Sequence, residues 1–335
     1  MTQVLPSRTP EERAEAVAKA AELLRSGEVV ALPTETVYGL AADALRADAV
    51  IKIFNAKSRP RFDPLIVHLP EASWVERIAS VKESVRPLFD RLCNQCWPGP
   101  LTFIVPRQTL IPDIVTAGLE TVAIRLSSHP VFAEIAKALG RPLAAPSANR
   151  FGRISPTAAS HVIDELDGLI PLVVDAGPTS HGLESTIIAL RNDRIEILRR
   201  GPITDERLAE FGEVVFVGAI SQPEAPGQLR SHYAPRTRLI FVENEATFDP
   251  PPEKRCGLLS WKTKADARFV EIRSLSERQD LTEAATKLFR LLRELDACDL
   301  DLIVAEQVPE EGLGAAINDR LRRAAQGTAV YKPPT

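Results

Sequence analysis

The chain has 335 residues, of which 44% are hydrophobic and 26% are charged, and its formal net charge is -4 at pH 7. This composition excludes a fibrous or disordered chain, and the length favours two domains because one core rarely grows beyond roughly 250–300 residues. The acidic balance also excludes attraction to nucleic acid through overall charge. Any RNA contact would therefore be local or made by a partner.

The first predicted element is a helix that starts at Pro10. Thr9 is its expected N-cap, Glu12 completes a capping box and Gly27 marks the end. The apolar stretch 28–32 then predicts a short strand. A strand that leads into a loop at this point commonly carries site residues.

The sequence PTETVYGL at 33–40 is predicted to be that loop, because Pro33, the two threonines and Gly39 interrupt regular pairing. Further strands are predicted at 65–69, 101–105, 121–126, 143–145, 171–174, 186–190 and 195–198. Helices are predicted at 48–58, 83–95, 130–139 and 157–166. This order predicts an α/β domain with a mixed, twisted sheet.

A second domain is predicted after a linker rich in Pro, Gly and polar residues. Buried strands are expected at 239–242, 257–261 and 302–305, and helices at 280–297 and 313–325. We therefore predict a mixed-sheet domain over 1–215, a linker over 216–237 and a smaller Rossmann-like βαβ domain over 238–335.

The four cysteines are interpreted as reduced structural thiols. Cys93 and Cys96 have the spacing of half a zinc site or a redox pair, but Cys256 and Cys298 are isolated and do not complete one. The first residues lack a secretory pattern, and no apolar run approaches membrane length. These features predict a cytoplasmic protein.

The usual nucleotide-binding motifs are absent, so a bound nucleotide would need another device. Lys57 and Arg59 follow a predicted helix and place two cations in one loop, which suits a polyphosphate. The alternative is a solvated basic helix end favoured by the helix dipole. Ser147 and Asn149 follow the small strand 143–145, where they suit phosphate oxygens or metal-bound water; the alternative is an ordinary turn.

Taken together, Lys57-x-Arg59 and Ser147-x-Asn149 resemble the paired signature of YrdC-type domains. The similarity continues through PTETVYGL, PLIVH, WPGPLT, VAIR, PSAN and the EST segment at 184–186, and it covers about residues 10–210. SHYAP in the linker and GLGAAINDRLRRAA near the C-terminus resemble the long form of the threonylcarbamoyl-AMP synthase family, which adds a second domain.

This resemblance implies a reaction between threonine, bicarbonate or CO2, and ATP. The threonine amine becomes a carbamate, which attacks the α-phosphorus and expels pyrophosphate, and the product serves modification of a tRNA adenosine next to the anticodon. It also implies Mg2+ carried by ATP, without protein side-chain ligands, and a separate tRNA threonylcarbamoyl transferase complex as downstream partner. Direct tRNA binding is left open.

The resemblance also assigns roles to individual residues. The implied ATP-binding residues are Lys57, Arg59, Asp63, Thr121, Ser147, Asn149, Ser155, Arg199 and Tyr233, of which Lys57, Arg59, Ser147 and Asn149 form the catalytic set. The implied threonine-binding residues are Thr36, His68, Arg125, Ala145 and Ser185. Arg125 is the expected partner of the threonine carboxylate, because a guanidinium binds a carboxylate through two parallel hydrogen bonds.

Several of these assignments have plainer alternatives. Thr36 and Ser185 could be turn residues, and His68 could be a structural histidine at the end of an apolar strand. Arg200 adjoins Arg199 and competes for its role. Asp63 stands where many members of the family have asparagine, so its contact with phosphate would need a metal, a proton or a different partner.

The linker residues His232 and Tyr233 have two interpretations. They could close over the nucleotide as a lid that excludes water, or they could anchor the linker by burying one aromatic ring. Cys96, where the family usually has an aromatic residue, is expected to change packing only.

Two other functions are weighed against the synthase. The first is an RNA-binding or ribosome-associated module in which Lys57, Arg59, Arg150 and Arg153 contact phosphates, although only 5% of residues are aromatic and no stacking platform is evident. The second is carbamoyl transfer from carbamoyl phosphate on the same domain.

Overall fold

A computed structural model describes residues 1–191, 194–217, 232–262 and 265–326. The described chain divides into two compact units, which are considered separately here. The first takes in 1–151, 156–180 and 184–217, and the second takes in 152–155, 181–183 and 232–326. Most of the predicted linker, 218–231, lies outside the described residues. Within the described ranges, no helix is long and apolar enough to cross a membrane.

The first unit alternates strands and helices. Its strands are β1 (Gln3–Pro6), β2 (Val30–Leu32), β3 (Gly39–Asp43), β4 (Ile66–His68), β5 (Leu101–Pro106), β6 (Thr121–Arg125), β7 (Leu143–Ala144), β8 (Leu172–Asp175), β9 (Thr186–Arg191), β10 (Arg194–Arg199) and β11 (Val214–Phe216). Its helices are α1 (Pro10–Ser26), α2 (Ala47–Lys57), α3 (Val75–Ile78), α4 (Arg86–Cys96), α5 (Asp113–Thr116), α6 (Pro130–Leu139), α7 (Ala159–Leu166) and α8 (Asp205–Ala209).

The strands form a mixed sheet in the order β1-β8-β2-β3-β7-β4-β6-β5-β9-β10-β11. The β4–β6 and β5–β9 pairs are parallel, whereas β6–β5 and β9–β10 are antiparallel. Alternate strand residues such as Val67, Phe103 and Ile124 point into the main core on one face of this sheet. The mixed α/β architecture predicted for this part of the chain is confirmed.

Helix α1 shows how closely local sequence determines an element. The Thr9 hydroxyl accepts a hydrogen bond from the Glu12 amide, and the Glu12 carboxylate accepts one from the Thr9 amide. Gly27 then ends the helix in the left-handed region, with φ of +88°, which glycine adopts without steric cost. The predicted capping box and stop are confirmed.

One prediction about the loop at 33–40 is wrong. Gly39 does not interrupt pairing: it begins β3, and it pairs with Leu32 in the antiparallel β2–β3 ladder. A Cβ at Gly39 would lie 3.3 Å from the Ala145 Cβ, so glycine serves close approach of two chain segments here. The irregular loop is therefore confined to 33–38.

The second unit contains β12 (Leu239–Val242), β13 (Cys256–Ser260), β14 (Glu271–Ser274), α9 (Leu281–Asp296), β15 (Leu302–Glu306) and α10 (Leu313–Gln326). Its strands are all parallel, in the order β12-β15-β13-β14. A parallel sheet in which α9 connects β14 to β15 is consistent with the predicted Rossmann-like arrangement, which is confirmed. Strand β14 was not predicted from the sequence.

The cysteines fit their structural interpretation. Cys93 and Cys96 lie in the last turn of α4, and all four cysteines are free thiols. Burial raises the pKa of Cys93 to about 12, so it stays protonated at neutral pH.

Candidate active site

The candidate site lies on the face of the first unit's sheet opposite the main core. Strand register pairs His68 with Arg125, and Arg125 with Thr102. Because alternate residues of a strand share a face, these polar residues lie on the same face as a small apolar cluster. That cluster, here called the apolar floor, consists of Ile66, Ile104, Ala123, Ile187, Ala189 and Leu198.

Two groups of polar residues take their names from residues near the two ends of β4. The His68 end consists of Thr36, His68, Arg125 and Ser185. The Asp63 end consists of Lys57, Arg59, Asp63, Ser147 and Asn149. Strand β4 runs from Ile66 to His68, so residue 63 precedes the floor and residue 68 follows it. Along the chain, the floor residue Ile66 therefore lies between Asp63 and His68.

At the His68 end, Arg125 is buried and has three protein partners. Its Nε donates to the Gly99 carbonyl at 3.2 Å, its Nη1 donates to the Thr36 hydroxyl at 3.0 Å, and its Nη2 lies 2.7 Å from Glu35 Oε1. The guanidinium is therefore fixed in orientation before any ligand binds. Thr36 contacts this guanidinium directly and is also a turn residue, since its amide donates to the Thr34 hydroxyl at 3.1 Å.

Glu35 is a buried acid that the sequence interpretation did not select. Its carboxylate pairs with Arg125 and accepts hydrogen bonds from the Ser127 hydroxyl at 2.5 Å and the Ser128 amide at 3.1 Å. Burial by itself raises the pKa of Glu35, but Arg125 and the two serines outweigh it and bring the pKa to about 2. Glu35 is thus an anion at neutral pH.

His68 is buried at the end of β4, and its ring packs against Phe132 with centroids 4.8 Å apart. Burial, assisted by the charge of Arg125, lowers the pKa of His68 to about 3. The imidazole is therefore neutral, and it can donate or accept a hydrogen bond but does not supply charge.

Ser185 lies directly before β9 and links the His68 end to Arg199. Its hydroxyl is 2.8 Å from the Thr102 hydroxyl and accepts from Arg199 Nη2 at 3.0 Å, and its carbonyl accepts from Arg199 Nε. Arg200, the competing residue, pairs instead with Asp205 at 2.7 Å. The structure thus brings Arg199, predicted on the ATP side, next to a predicted threonine residue.

At the Asp63 end, Lys57 is the last residue of α2 and is only 1% exposed. Its ammonium donates to the backbone carbonyls of Ser147 and Asn149, which joins the two parts of the paired motif. Burial, together with the charge of Arg59, lowers the pKa of Lys57 well below its usual value. An ammonium has three donors, so one is left for a ligand.

Arg59 and Asp63 form a buried ion pair, with 2.8 Å between Arg59 Nη2 and Asp63 Oδ2. Arg59 also donates to the carbonyls of Asp63 and Pro64. Burial raises the pKa of Asp63, while the charges of Arg59, Lys57 and Arg199 oppose that rise. The partner of Asp63 that the sequence left open is therefore Arg59.

The remaining predicted residues are placed as follows. Ala145 follows β7 and donates its amide to the Ile66 carbonyl at 3.0 Å, beside the floor. Thr121 begins β6, two residues before Ala123, and so lies toward the Asp63 end. Ser155 and Tyr233 belong to the second unit, where Tyr233 stacks on Phe289 with centroids 5.7 Å apart.

These contacts bear on two alternatives. The ring of Tyr233 is buried, as an anchor of the linker would be, whereas its contact with nucleotide stays a prediction. Lys57 and Arg59 are 1% and 7% exposed, so they do not form an open phosphate-contacting patch with Arg150. Two of the four residues on which the RNA-binding interpretation was based are therefore buried.

Comparison with known proteins gives matches to both parts of the chain. Residues 22–201 match the Sua5/YciO/YrdC family, described as telomere recombination, and residues 203–326 match the family described as threonylcarbamoyl-AMP synthase, C-terminal domain. A threonylcarbamoyl-AMP synthase of Bacillus subtilis is 40% identical over 94% of both chains. One of Schizosaccharomyces pombe is 34% identical, over 97% of this chain and 91% of its own.

A solved structure is also similar over the whole chain. The crystal structure of Pyrococcus abyssi Sua5 complexed with L-threonine has a TM-score of 0.89 and 34% sequence identity, and the match covers 99% of this chain and 100% of that one. The similarity thus extends to both units, each with its own fold.

Proposed function

The chain belongs to the threonylcarbamoyl-AMP synthase family, and we propose that it makes L-threonylcarbamoyl-AMP from L-threonine, bicarbonate or CO2, and ATP. The observation that carries this proposal is the presence of two clusters of buried charged residues in the first unit. A fixed guanidinium suited to an amino-acid carboxylate lies at the His68 end, and a buried Lys–Arg pair suited to phosphates lies at the Asp63 end.

The proposed threonine site is the His68 end. Arg125 binds the carboxylate, since three of its five N–H groups are used by the protein and two remain. The hydroxyls of Thr36 and Ser185 and the neutral His68 ring supply hydrogen bonds for the amine and side-chain hydroxyl. Because His68 is uncharged, it does not repel an amine approaching the pocket.

The reaction needs an unprotonated threonine amine. That amine adds to CO2 with loss of a proton, or to bicarbonate with loss of water, and forms a carbamate. A carbamate oxygen then attacks the α-phosphorus of ATP, and the bond to pyrophosphate breaks. Few proton transfers by the protein are needed, so positioning and charge neutralisation supply most of the catalysis.

The proposed ATP site is the Asp63 end, with Arg199 beside Ser185 at the boundary of the two substrates. Lys57, Arg59, Ser147 and Asn149 are donors that suit phosphate oxygens. Mg2+ enters with ATP as part of the substrate, because a hard cation in an ATP site usually keeps most of its contacts to phosphate and water. Its role is to neutralise charge on the phosphates.

The wider role follows the family resemblance. We place the product upstream of a transferase that modifies a tRNA adenosine next to the anticodon. The free cysteines and the use of ATP and threonine support a cytoplasmic location.

ATP–pyrophosphate exchange tests the proposal. Labelled pyrophosphate should enter ATP only when threonine and bicarbonate are both present, because the acyl-adenylate must form before exchange is possible. Serine, glycine and buffer without bicarbonate serve as controls. Exchange that needs neither threonine nor bicarbonate, or no exchange at all, would contradict the proposed reaction.

A further inference from the structure

Glu35 makes contacts that are unusually complete for a loop acid. Both carboxylate oxygens are occupied, Oε1 by Arg125 and the Ser128 amide, and Oε2 by the Ser127 hydroxyl. The loop therefore holds an anion at a fixed point beside the guanidinium that the proposed function assigns to threonine. The next residue, Thr36, holds a second side of the same guanidinium.

A general contribution to stability is a poor explanation of this ion pair. Removing two charges from water costs several kcal/mol per ion, and buried ion pairs are often no better for stability than apolar side chains of similar size. Glu35 and Arg125 are both nearly fully buried. A role in fixing the geometry of the site accounts better for the presence of both charges.

The contacts of Glu35 also join the two main parts of the threonine pocket. Ser127 and Ser128 lie directly before α6, and Phe132 in the first turn of α6 packs on the His68 ring. Glu35 thus connects Arg125 to the start of the helix that supports His68. Replacing Glu35 would first change the orientation of Arg125, the proposed partner of the threonine carboxylate.

We infer that Glu35 is a positioning residue for substrate recognition, which fixes the guanidinium of Arg125 so that its two remaining N–H groups meet the carboxylate of threonine. This inference rests on the proposed function. Glu35 does not touch the substrate in this account. It acts through Arg125 and sets the preference for a substrate that carries a carboxylate.

The test compares Glu35→Gln with the wild type, using L-threonine and L-threoninol, which has a hydroxymethyl group in place of the carboxylate. The variant should raise the KM for L-threonine about 10- to 50-fold, because it breaks a charge-assisted contact that orients Arg125. The KM for ATP and the inhibition constant of L-threoninol should each change less than about threefold, because neither depends on the orientation of Arg125.

Glu28→Gln is the matched control, since Glu28 also forms an ion pair, 2.6 Å from Lys52, but is partly exposed and remote from the site. It should leave both KM values unchanged. An unchanged threonine KM in Glu35→Gln, or an equal loss of threonine and threoninol binding, would overturn the inference. A wild-type protein that makes no product would instead overturn the proposed function.

A second variant covers the case in which Glu35→Gln fails to fold. Ser127→Ala keeps the Glu35–Arg125 charge pair and removes one hydrogen bond to the carboxylate. It should raise the threonine KM about 3- to 10-fold, with the ATP KM unchanged. A threonine KM equal to that of the wild type in this variant would also overturn the inference.

Discussion

The two ends of the sheet face balance their charges to different extents. At the His68 end, Arg125 has a buried counter-ion, Glu35, whose pKa of about 2 keeps it ionised. At the Asp63 end, burial lowers the pKa of Lys57 and raises that of Asp63, so burial disfavours the charged form of each residue. The His68 end thus has one acid for one cation, whereas the Asp63 end has one acid, Asp63, for two cations, Lys57 and Arg59.

This difference indicates how each end would treat its substrate. Threonine has a carboxylate and an amine and little net charge, so a balanced pocket can bind it by geometry. ATP brings several negative charges, which would stabilise the protonated form of Lys57 and the charge of Arg59. The Asp63 end should therefore contribute most through charge, and the His68 end most through orientation.

Removing a cation from the Asp63 end should have the largest effect. Arg59→Ala or Lys57→Ala should lower ATP–pyrophosphate exchange by roughly 30- to 1000-fold, since a lost charged contact in such a site costs about 2–4 kcal/mol. Circular dichroism should show an intact fold. Lys52→Ala, on the same helix but partly exposed, is the control, and unchanged exchange in Arg59→Ala would refute the phosphate role.

Changing the shape of the Arg125 side chain while keeping its positive charge should have the next largest effect. Arg125→Lys keeps the positive charge but loses the planar fork that contacts Gly99, Thr36 and Glu35. The threonine KM should rise about 10- to 100-fold, and the ATP KM should stay within about twofold. Equal increases of the threonine KM and the ATP KM would show that Arg125 does not act on threonine binding alone.

The Glu35–Arg125 ion pair should also affect how the free energy of unfolding depends on pH in acid. Because the pKa of Glu35 is lowered from 4.5 to about 2, its contribution is fully present above pH 4.5 and is lost as pH falls toward 2. Between about pH 6 and pH 3, the free energy of unfolding should fall about 2 kcal/mol more for the wild type than for Glu35→Gln. If urea unfolding gave the same pH dependence of stability for the wild type and for Glu35→Gln, the stabilising role of this ion pair would be contradicted.

Removing the acid from the Asp63 end should have the smallest effect. Since burial raises the pKa of Asp63, its carboxylate ionises at higher pH and then competes with phosphate for Arg59. Asp63→Asn should lower the ATP KM about 3- to 10-fold at high pH, because one competing hydrogen-bond acceptor for Arg59 is weakened, and converge with the wild type at low pH. A higher ATP KM in the variant at every pH would mean that Asp63 assists binding.

Local sequence predicted those elements whose signals are local. Thr9, Pro10 and Glu12 specify the start of α1, and Gly27 specifies its end. Strand β3 was missed because a glycine read as a breaker allows close approach to Ala145, over 100 residues away. Short β1 and β14 lack a clear period, since their residues are largely exposed or half buried.

Prediction of the candidate site from the sequence was likewise limited to residues with local signals. Motif resemblance selected Lys57, Arg59, Ser147 and Asn149, but it did not indicate that the lysine bonds the backbone carbonyls of the second motif. Glu35 was missed because its partner, Arg125, lies 90 residues further along the chain. The available signal was an acid between two threonines in an otherwise apolar segment, because a buried acid requires a cationic or hydrogen-bonding partner.

The most direct test of the account is mass-spectrometric detection of product from the pure protein. The protein would be incubated with ATP, Mg2+, bicarbonate and isotopically labelled threonine, alongside Arg59→Ala and Arg125→Lys. The account predicts labelled threonylcarbamoyl-adenylate and pyrophosphate from the wild type, with Arg59→Ala nearly inactive and Arg125→Lys restored by excess threonine. Absence of the labelled adenylate from the wild type would contradict it.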